Sequence, residues 1–522
     1  MTITTPCFPR TLRALPTALL LASGQLCALT FEPNDDLQIK TSTVLSYGLA
    51  WRTEKPAHAL SGRYDAAAAN RDDGNNAFDR GSLISNRIGI LGDADINWRR
   101  DFGLFVRASA YYDDVYHRRN DNRSGTSNCY AAGQCSRPDR FSSETVDAHG
   151  GDVRLLDTYV YGNWTLAERP LNLRVGRQVI SWGESLYNGN GISSAMSPSD
   201  AGKSSVPGVE VKERLLPVGQ VFAQYGLSDS LDLQLYYQYE WKKTELSAVG
   251  NYFSATDYID KGGFSDASGR LHRTRDDEPR DSGQYGIALR YLAESLNNAE
   301  FGLYRLRFHS KTPQLDFLSH RRERAYQARY FEDIDLYGGS FATTVGDTAI
   351  NGEISLQDGQ PVSVLVGRSP HAVRGKTGQA LLSLIHPVGV TPLADNLTLN
   401  GEVGYNRVLD NDKADLGAGQ PPSDKLSNDR SAWGYTLSAT LRYIGLLQGW
   451  DLSVPITFNQ NVRGVSSLGT YREGANRFSV GTTWEYLGNF AIEARYNAYL
   501  GSPADNSLTD RDHLALSARY SF

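Results

Sequence analysis

No run of about 18 consecutive apolar residues occurs in the 522-residue chain, which excludes a membrane-crossing helix. Cysteine is scarce, with four in all, and there are only two methionines. Blocks of like charge are missing too. The 53 basic and 59 acidic side chains are dispersed to a net charge of −6, and an acidic balance without a basic stripe excludes a nucleic-acid partner. Catalytic motifs are equally wanting. The nine histidines stand singly, with no His-Glu-x-x-His, and no Gly-x-Ser-x-Gly elbow supports a nucleophile. Gly375-Lys376-Thr377 ends like a phosphate-binding loop, but Pro370 stands where the first glycine belongs, and a strand follows where a helix is required. Asp410, Asp412 and Asp415 approach the spacing of a calcium loop, which Ala414 and the missing sixth-position glycine break. No catalytic residue, metal or cofactor is assigned, and the chain reads as a non-enzyme.

What is abundant is glycine, with 50 residues, and tyrosine, with 29. Both suit strands and tight turns. The mean hydropathy of −0.43 is polar, but a membrane barrel remains open, because its alternating apolar and polar residues cancel in any hydropathy window.

Arg10 and Arg13 precede a short apolar run, Ala14 to Ala22, and Ala28 offers a small residue for cleavage. This order reads as a secretory signal peptide over residues 1–28. A buried N-terminal helix is the alternative, against which the short run and its export-type flanks argue. Cys7 and Cys27 leave with the signal. Cys129 and Cys135 remain in a Gly/Ser/Asn-rich segment of an exported chain, where a loop disulfide is expected.

The remainder, 29–522, repeats one pattern of period-two alternation. Leu514, Leu516, Ala518, Tyr520 and Phe522 lie on one face of the last segment, and Ala515, Ser517, Arg519 and Ser521 on the other. Such alternation means a strand with one apolar face. Eighteen strands are expected, at 37–51, 86–98, 101–116, 152–166, 170–180, 214–226, 230–242, 283–293, 299–309, 333–346, 348–358, 376–388, 395–407, 431–445, 450–463, 475–487, 489–501 and 512–522. Arg305 and Arg307 blur which face of 299–309 is apolar. Links after even strands are short; those after odd strands are mostly long, as at 52–85, 181–213 and 359–375. Short periplasmic turns, long outer loops and an even strand count describe an antiparallel transmembrane β-barrel of the outer membrane of a Gram-negative bacterium. Trp98, Trp164, Trp241, Trp433 and Trp450 stand at strand ends, as an interfacial girdle requires. A soluble sandwich or propeller would need a second sheet to bury eighteen apolar faces, and no blade repeat is present. The terminal Tyr520 and Phe522 resemble the C-terminal strand signal read by the barrel assembly machinery.

Residues 29–36 alone precede the first expected strand, too few for a plug domain, so any constriction is expected from the loops. The third outer loop, 181–213, is glycine-rich and is expected to fold into the lumen, with Glu184, Asp200 and Lys203 as its polar contacts. Glu240, Arg290, Glu402, Arg442, Glu493, Arg495 and Arg519 are expected to face the lumen. Arg495 and Arg519 on neighbouring strands would form a basic strip offset by Glu493; the alternative is a structural ion-pair network. Outer-membrane lipids and lipopolysaccharide are the expected surroundings.

The stretch Val175-Gly-Arg-Gln-Val-Ile-Ser-Trp-Gly-Glu184, then Asn190-Gly-Ile-Ser-Ser194, Ser197-Pro-Ser-Asp200 and Leu216-Pro217, resembles the core signature of the proteobacterial domain-of-unknown-function 1302 family. Tyr236-Tyr-Gln-Tyr-Glu-Trp241, Gly250-Asn-Tyr-Phe-Ser-Ala-Thr-Asp257 and Gly375-Lys-Thr-Gly-Gln-Ala380 continue the resemblance. It implies an outer-membrane barrel encoded beside a periplasmic lipid-carrier-like protein and an inner-membrane transporter, hence traffic of hydrophobic compounds. The family supplies no catalytic residues. The expected function is a porin-like channel or transporter for hydrophobic or amphipathic organic compounds. A non-conducting component of a trans-envelope export or uptake complex is the alternative, and a lipid-modifying barrel enzyme a third reading. One test follows from the cysteines: a membrane-impermeant maleimide should label neither Cys129 nor Cys135 in intact cells until a reductant is added, and labelling without reductant would remove the disulfide.

Overall fold

The computed structural model describes residues 29–187, 191–318, 324–367, 369–415, 417 and 421–522. The signal-peptide reading of 1–28, with Cys7 and Cys27, lies outside the described residues, as do Gly189 and Asn190 of the third loop.

Alternation becomes strand throughout. The barrel strands are β1 (Leu37–Arg52), β2 (Leu83–Trp98), β3 (Phe102–Asp113), β4 (Gly151–Leu166), β5 (Arg169–Gln178), β6 (Val218–Gly226), β7 (Leu231–Gln238), β8 (Gln284–Ala293) and β9 (Ala299–Phe308). They continue as β10 (Ile334–Val345), β11 (Thr348–Val366), β12 (Ser369–Thr391), β13 (Ala394–Asn411), β14 (Ser431–Leu447), β15 (Trp450–Arg463), β16 (Asn476–Tyr486), β17 (Phe490–Leu500) and β18 (His513–Ser521). Each pairs antiparallel with the next, and β18 closes on β1 from Val44↔Ser521 to Arg52↔His513. A further strand, Leu29–Asn34, folds back on the start of β1 and covers the edge that the shorter β18 leaves free. Phe522 and Thr43 exchange backbone hydrogen bonds of 2.6 and 2.9 Å where the two coverings meet. Among the described residues no helix is long and apolar enough to cross a membrane.

Several short turns hold non-glycine residues in the left-handed region. Arg99 and Arg100, Ala167 and Glu168, and Asn297 and Asn298 all take positive φ in pairs, and Ala167 and Glu168 make the two-residue type I′ hairpin between β4 and β5. Leu303, Ile354, Leu399 and Leu437 stand exposed on the outward face, which is stable only against hydrocarbon. Trp98, Phe102 and Trp164 cluster at the short-turn rim, with ring centroids 6.3 and 5.4 Å apart, and Trp450, Tyr486 and Phe490 repeat the device. Trp241 departs from the girdle. It lies past β7, edge-on to Tyr330 at 5.0 Å, and donates its ring N–H to the Ser310 carbonyl, so it belongs to the loop cap.

Two sequence expectations are corrected. Segment 359–375 is no loop: β11 and β12 run on as one long hairpin, because Val362, Val364 and Val366 resume the alternation beyond a bulge at Gly359, and Val364 and Val366 pack with Ala414. Arg305 and Arg307 sit on the outward face near the long-loop rim, where Asp335 of β10 binds both, at 3.0 and 2.8 Å. The faces are therefore not blurred; one carboxylate holds both guanidinium groups at the polar end of an apolar face.

The outer loops pack into a cap with its own core. Phe78, Val115, Tyr116 and Tyr252 are buried together with Ala50 and Ala515 of the barrel rim. Arg52 is fully buried there, paired with Asp510 at 3.0 Å and donating to the Asn75 and Phe78 carbonyls. Cys129 and Cys135 are joined by a disulfide in this cap, with Cα atoms 5.2 Å apart. Deleting Phe522 removes the exchange with Thr43 and the ring contact with Tyr520. The expected result is slower folding and less heat-modifiable barrel; unchanged levels would count against an anchoring role for the last residue.

Candidate functional site

The long link from β5 to β6, residues 179–217, makes contacts unlike those of a surface loop. Trp182 is buried against Tyr236 of β7 and Tyr304 of β9, with ring centroids 5.1 and 5.9 Å away. Ile192 and Met196 are completely buried in the same cluster, over Phe222, Ala288, Leu306 and Leu336. All these wall residues alternate with the exposed apolar positions of their strands, so they form the inward face. Burying apolar side chains of this size stabilises each by about 1.5–3 kcal/mol. β6 to β10 carry aromatic and aliphatic residues on the inward face as well, and the loop covers them.

Two wall carboxylates then fix the loop backbone. Glu353 of β11 accepts the Glu184 and Ile192 N–H groups at 2.8 and 2.9 Å, one on each oxygen. Glu402 of β13 accepts the Leu186 and Tyr187 N–H groups at 2.6 and 3.2 Å and the Ser383 hydroxyl at 2.8 Å. Glycine is required where the chain wraps the first carboxylate. A Cβ on Gly183 or Gly191 would lie 2.4 or 2.6 Å from a Glu353 oxygen, and Gly183 has φ +94°. The Gly183-Glu184 and Gly191-Ile192 steps of the motifs thereby acquire a physical reason. The family described as "Protein of unknown function (DUF1302)" matches residues 10–522. The chain belongs to this family.

No curated protein matches this DUF1302 chain. Several solved structures are similar to it. OccAB3 of Acinetobacter baumannii has 11% identity and a TM-score of 0.44, over 93% of this chain and 99% of that one. OccK2 (OpdF) of Pseudomonas aeruginosa, in complex with glucuronate, has 12% identity and a TM-score of 0.40, over 93% and 98%. The outer membrane channel DcaP of Acinetobacter baumannii has 10% and 0.40, over 94% and 99%.

The later half of the DUF1302 loop reaches a different wall. Glu210 pairs with Arg519 of β18 at 2.7 Å, Lys212 with Asp93 of β2 at 3.1 Å, and Glu213 with Arg87 of β2 at 2.9 Å. A one-turn helix, Val211–Arg214, sets these charges through a capping box between Glu210 and Glu213. In a ring of eighteen, β2 and β11 are nine strands apart in either direction.

The residues singled out from sequence divide accordingly. Glu184 meets Arg290 of β8 at 3.3 Å, and Arg290 also pairs with Glu300 of β9. Asp200 and Lys203 are buried, 3.3 Å apart, with Arg154 of β4 at 3.5 Å from Asp200. Burial raises the Asp200 carboxyl and lowers the Lys203 ammonium. Contrary to expectation these two face each other, not a water path. Arg290, Glu402, Arg442, Glu493, Arg495 and Arg519 occupy positions alternating with the exposed apolar ones of their strands. Glu240 instead lies past the end of β7, where it takes Arg177 at 2.8 Å and the Gly219 N–H. The basic strip of Arg495 and Arg519 does not form, because each has its own carboxylate: Glu493 at 2.6 Å and Glu210 at 2.7 Å. Arg442 likewise pairs with Asp451 at 2.9 Å. Glu353 was not singled out from sequence; its inward parity on an expected strand was the available signal.

Between the loop and the outer parts of β9, β11 and β12 lies a cavity of about 540 Å³. Ser194, Ser197, Gln357 and Gln379 line it with hydroxyl and amide groups, and Ile180 and Phe308 with apolar surface. Lys311 adds an ammonium that burial pushes down to about 7 and that donates to the Ala195 carbonyl at 2.7 Å. A second cavity, of about 340 Å³, lies at the short-turn end between Asp232, Gln234, Arg290 and Glu300. Replacing Glu353 with Ala leaves two loop N–H groups without their charged acceptor, where such a bond is worth about 1.5–3 kcal/mol. Limited proteolysis within 181–213 of the folded barrel should accelerate about tenfold or more, and Gly183→Ala should do the same. Unchanged protection in both would show that the carboxylate does not hold the loop.

Proposed function

We propose that this protein is an outer-membrane channel, reached by signal-peptide-dependent export, in which residues 181–213 fold into the lumen as the constriction. The observation that carries the reading is the loop's attachment at once to Glu353 of β11 and to Arg87 and Asp93 of β2, nine strands apart. A surface loop returning from β5 to the adjacent β6 has no reason to touch either. The proposed cargo is an amphipathic organic compound. Support comes from the outer cavity, where neutral hydroxyl and amide groups stand beside Ile180 and Phe308, and where no carboxylate that would repel an organic acid is among the described lining residues. Such a mixture suits a solute with one apolar and one polar end.

The purified full-length barrel should conduct in planar bilayers and should pass amphipathic solutes into liposomes faster than inorganic ions of equal charge. Deleting 188–205, in a barrel shown to be inserted, should raise conductance several-fold by widening the water path. Conductance equal to that of the parent would sink the constriction. A parent barrel that stays silent and co-purifies with a periplasmic carrier would favour a non-conducting partner of a trans-envelope complex.

A further inference from the structure

Three aspartates from two outer loops meet inside the cap. Asp72 and Asp73 lie between β1 and β2, Asp257 between β7 and β8, and they are 0%, 4% and 1% exposed. Their neutral donors leave the set incomplete. Asp257 Oδ2 accepts the N–H groups of Asp72 and Asp73 at 2.6 and 3.2 Å, and Asp72 Oδ2 accepts the Gly62 N–H at 2.7 Å and the Asn76 amide at 2.6 Å. Asp73 accepts the Asn128 N–H at 2.7 Å and the Asn122 amide at 3.4 Å, both from the loop between β3 and β4. The other oxygens, Asp72 Oδ1 and Asp257 Oδ1, are buried and have no donor at all.

We propose that Asp72, Asp73 and Asp257 bind one hard divalent cation, calcium before magnesium, and that this ion ties the first, second and fourth outer loops together. Each residue offers one carboxylate oxygen, and the three lie within 4.8 Å of one another. Three atoms within that distance of one another have a common centre no more than about 2.8 Å from each, which a small side-chain adjustment brings to the ordinary calcium–oxygen distance of about 2.4 Å. The donor set is all oxygen, which disfavours zinc and copper, and calcium tolerates longer and less regular coordination than the strict octahedron of magnesium. No lysine or arginine among the described residues forms an ion pair with any of the three. Arg511, whose guanidinium lies beside Gly74, is engaged by Asp510 at 3.3 Å and by the Tyr252 carbonyl. Three buried carboxylates without a counter-charge must take up either protons or a cation. Burial and mutual repulsion push Asp73 up to about 7 and Asp257 well above the usual carboxylate range, which is the electrostatic demand that a divalent ion would answer.

The test uses the full-length barrel, stripped with EGTA and titrated with calcium chloride, read by calorimetry and by thermal unfolding. Binding of about one ion per chain and a higher melting temperature in calcium than in EGTA are expected. Asp257→Asn should weaken binding at least about tenfold. The triple variant Asp72→Asn, Asp73→Asn, Asp257→Asn, freed of the repulsion, should fold in EGTA at least as well as the parent and ignore calcium. Magnesium in place of calcium should bind about tenfold more weakly or worse. A parent that binds no calcium at millimolar concentration, or a triple variant that binds as well as the parent, would overturn the site. So would a parent stabilised by acid but indifferent to calcium, since the carboxylates would then hold shared protons.

Discussion

A backbone N–H or C=O left unpaired in hydrocarbon costs several kcal/mol, so a sheet that spans a bilayer must close on itself. Everything else in this molecule follows from how that closure is met. The last strand is shorter than the first, and the edge it leaves open is covered by the chain's own Leu29–Asn34, which folds back on β1. Closure at eighteen strands also creates a wide interior that side chains alone do not fill. The inward faces of β6 to β10 nevertheless carry Phe222, Tyr236, Tyr304, Leu306 and Leu336, apolar surface that would face water in an open pore. The third loop's Trp182, Ile192 and Met196 cover it.

Hydrophobic cover is non-directional and cannot by itself set a loop's path. Direction comes from Glu353 and Glu402, whose carboxylates each accept two backbone N–H groups, and from the ion pairs of Glu210, Lys212 and Glu213 with the opposite wall. Charge-assisted hydrogen bonds are about twice as strong as neutral ones and geometrically demanding. On the proposed reading the same bonds that locate the constriction also define the cavity beside it. The charges expected to line the lumen are largely neutralised in pairs, which makes the wall a set of local contacts more than a field of one sign.

Much of the fold was legible because strand periodicity is a local property. Every one of the eighteen expected segments overlaps a barrel strand, and the mean hydropathy, misleading for helices, did not hide them. The errors fall where a local rule is interrupted. A bulge at Gly359 breaks the alternation, so the far end of the β11–β12 hairpin, 359–375, reads as a loop in sequence; Trp241, at the right spacing for a girdle, passes the end of its strand and turns into the cap.

The sequence by itself determined the strand count, the antiparallel order and the alternation of short and long links, since each depends on residues within about 10–15 positions of one another. It also placed Glu402 on an inward face. The tertiary structure alone decided which charges meet. Glu353 lies 169 residues from Glu184, and Asp257 lies 185 from Asp72. Such pairs carry no periodic trace, because a carboxylate on a strand or in a loop has the same local signature whether its partner is a backbone amide across the barrel, another carboxylate or water. Only closure of the ring brings those positions together, and so only the closed barrel decides which carboxylates are buried and what they must bind.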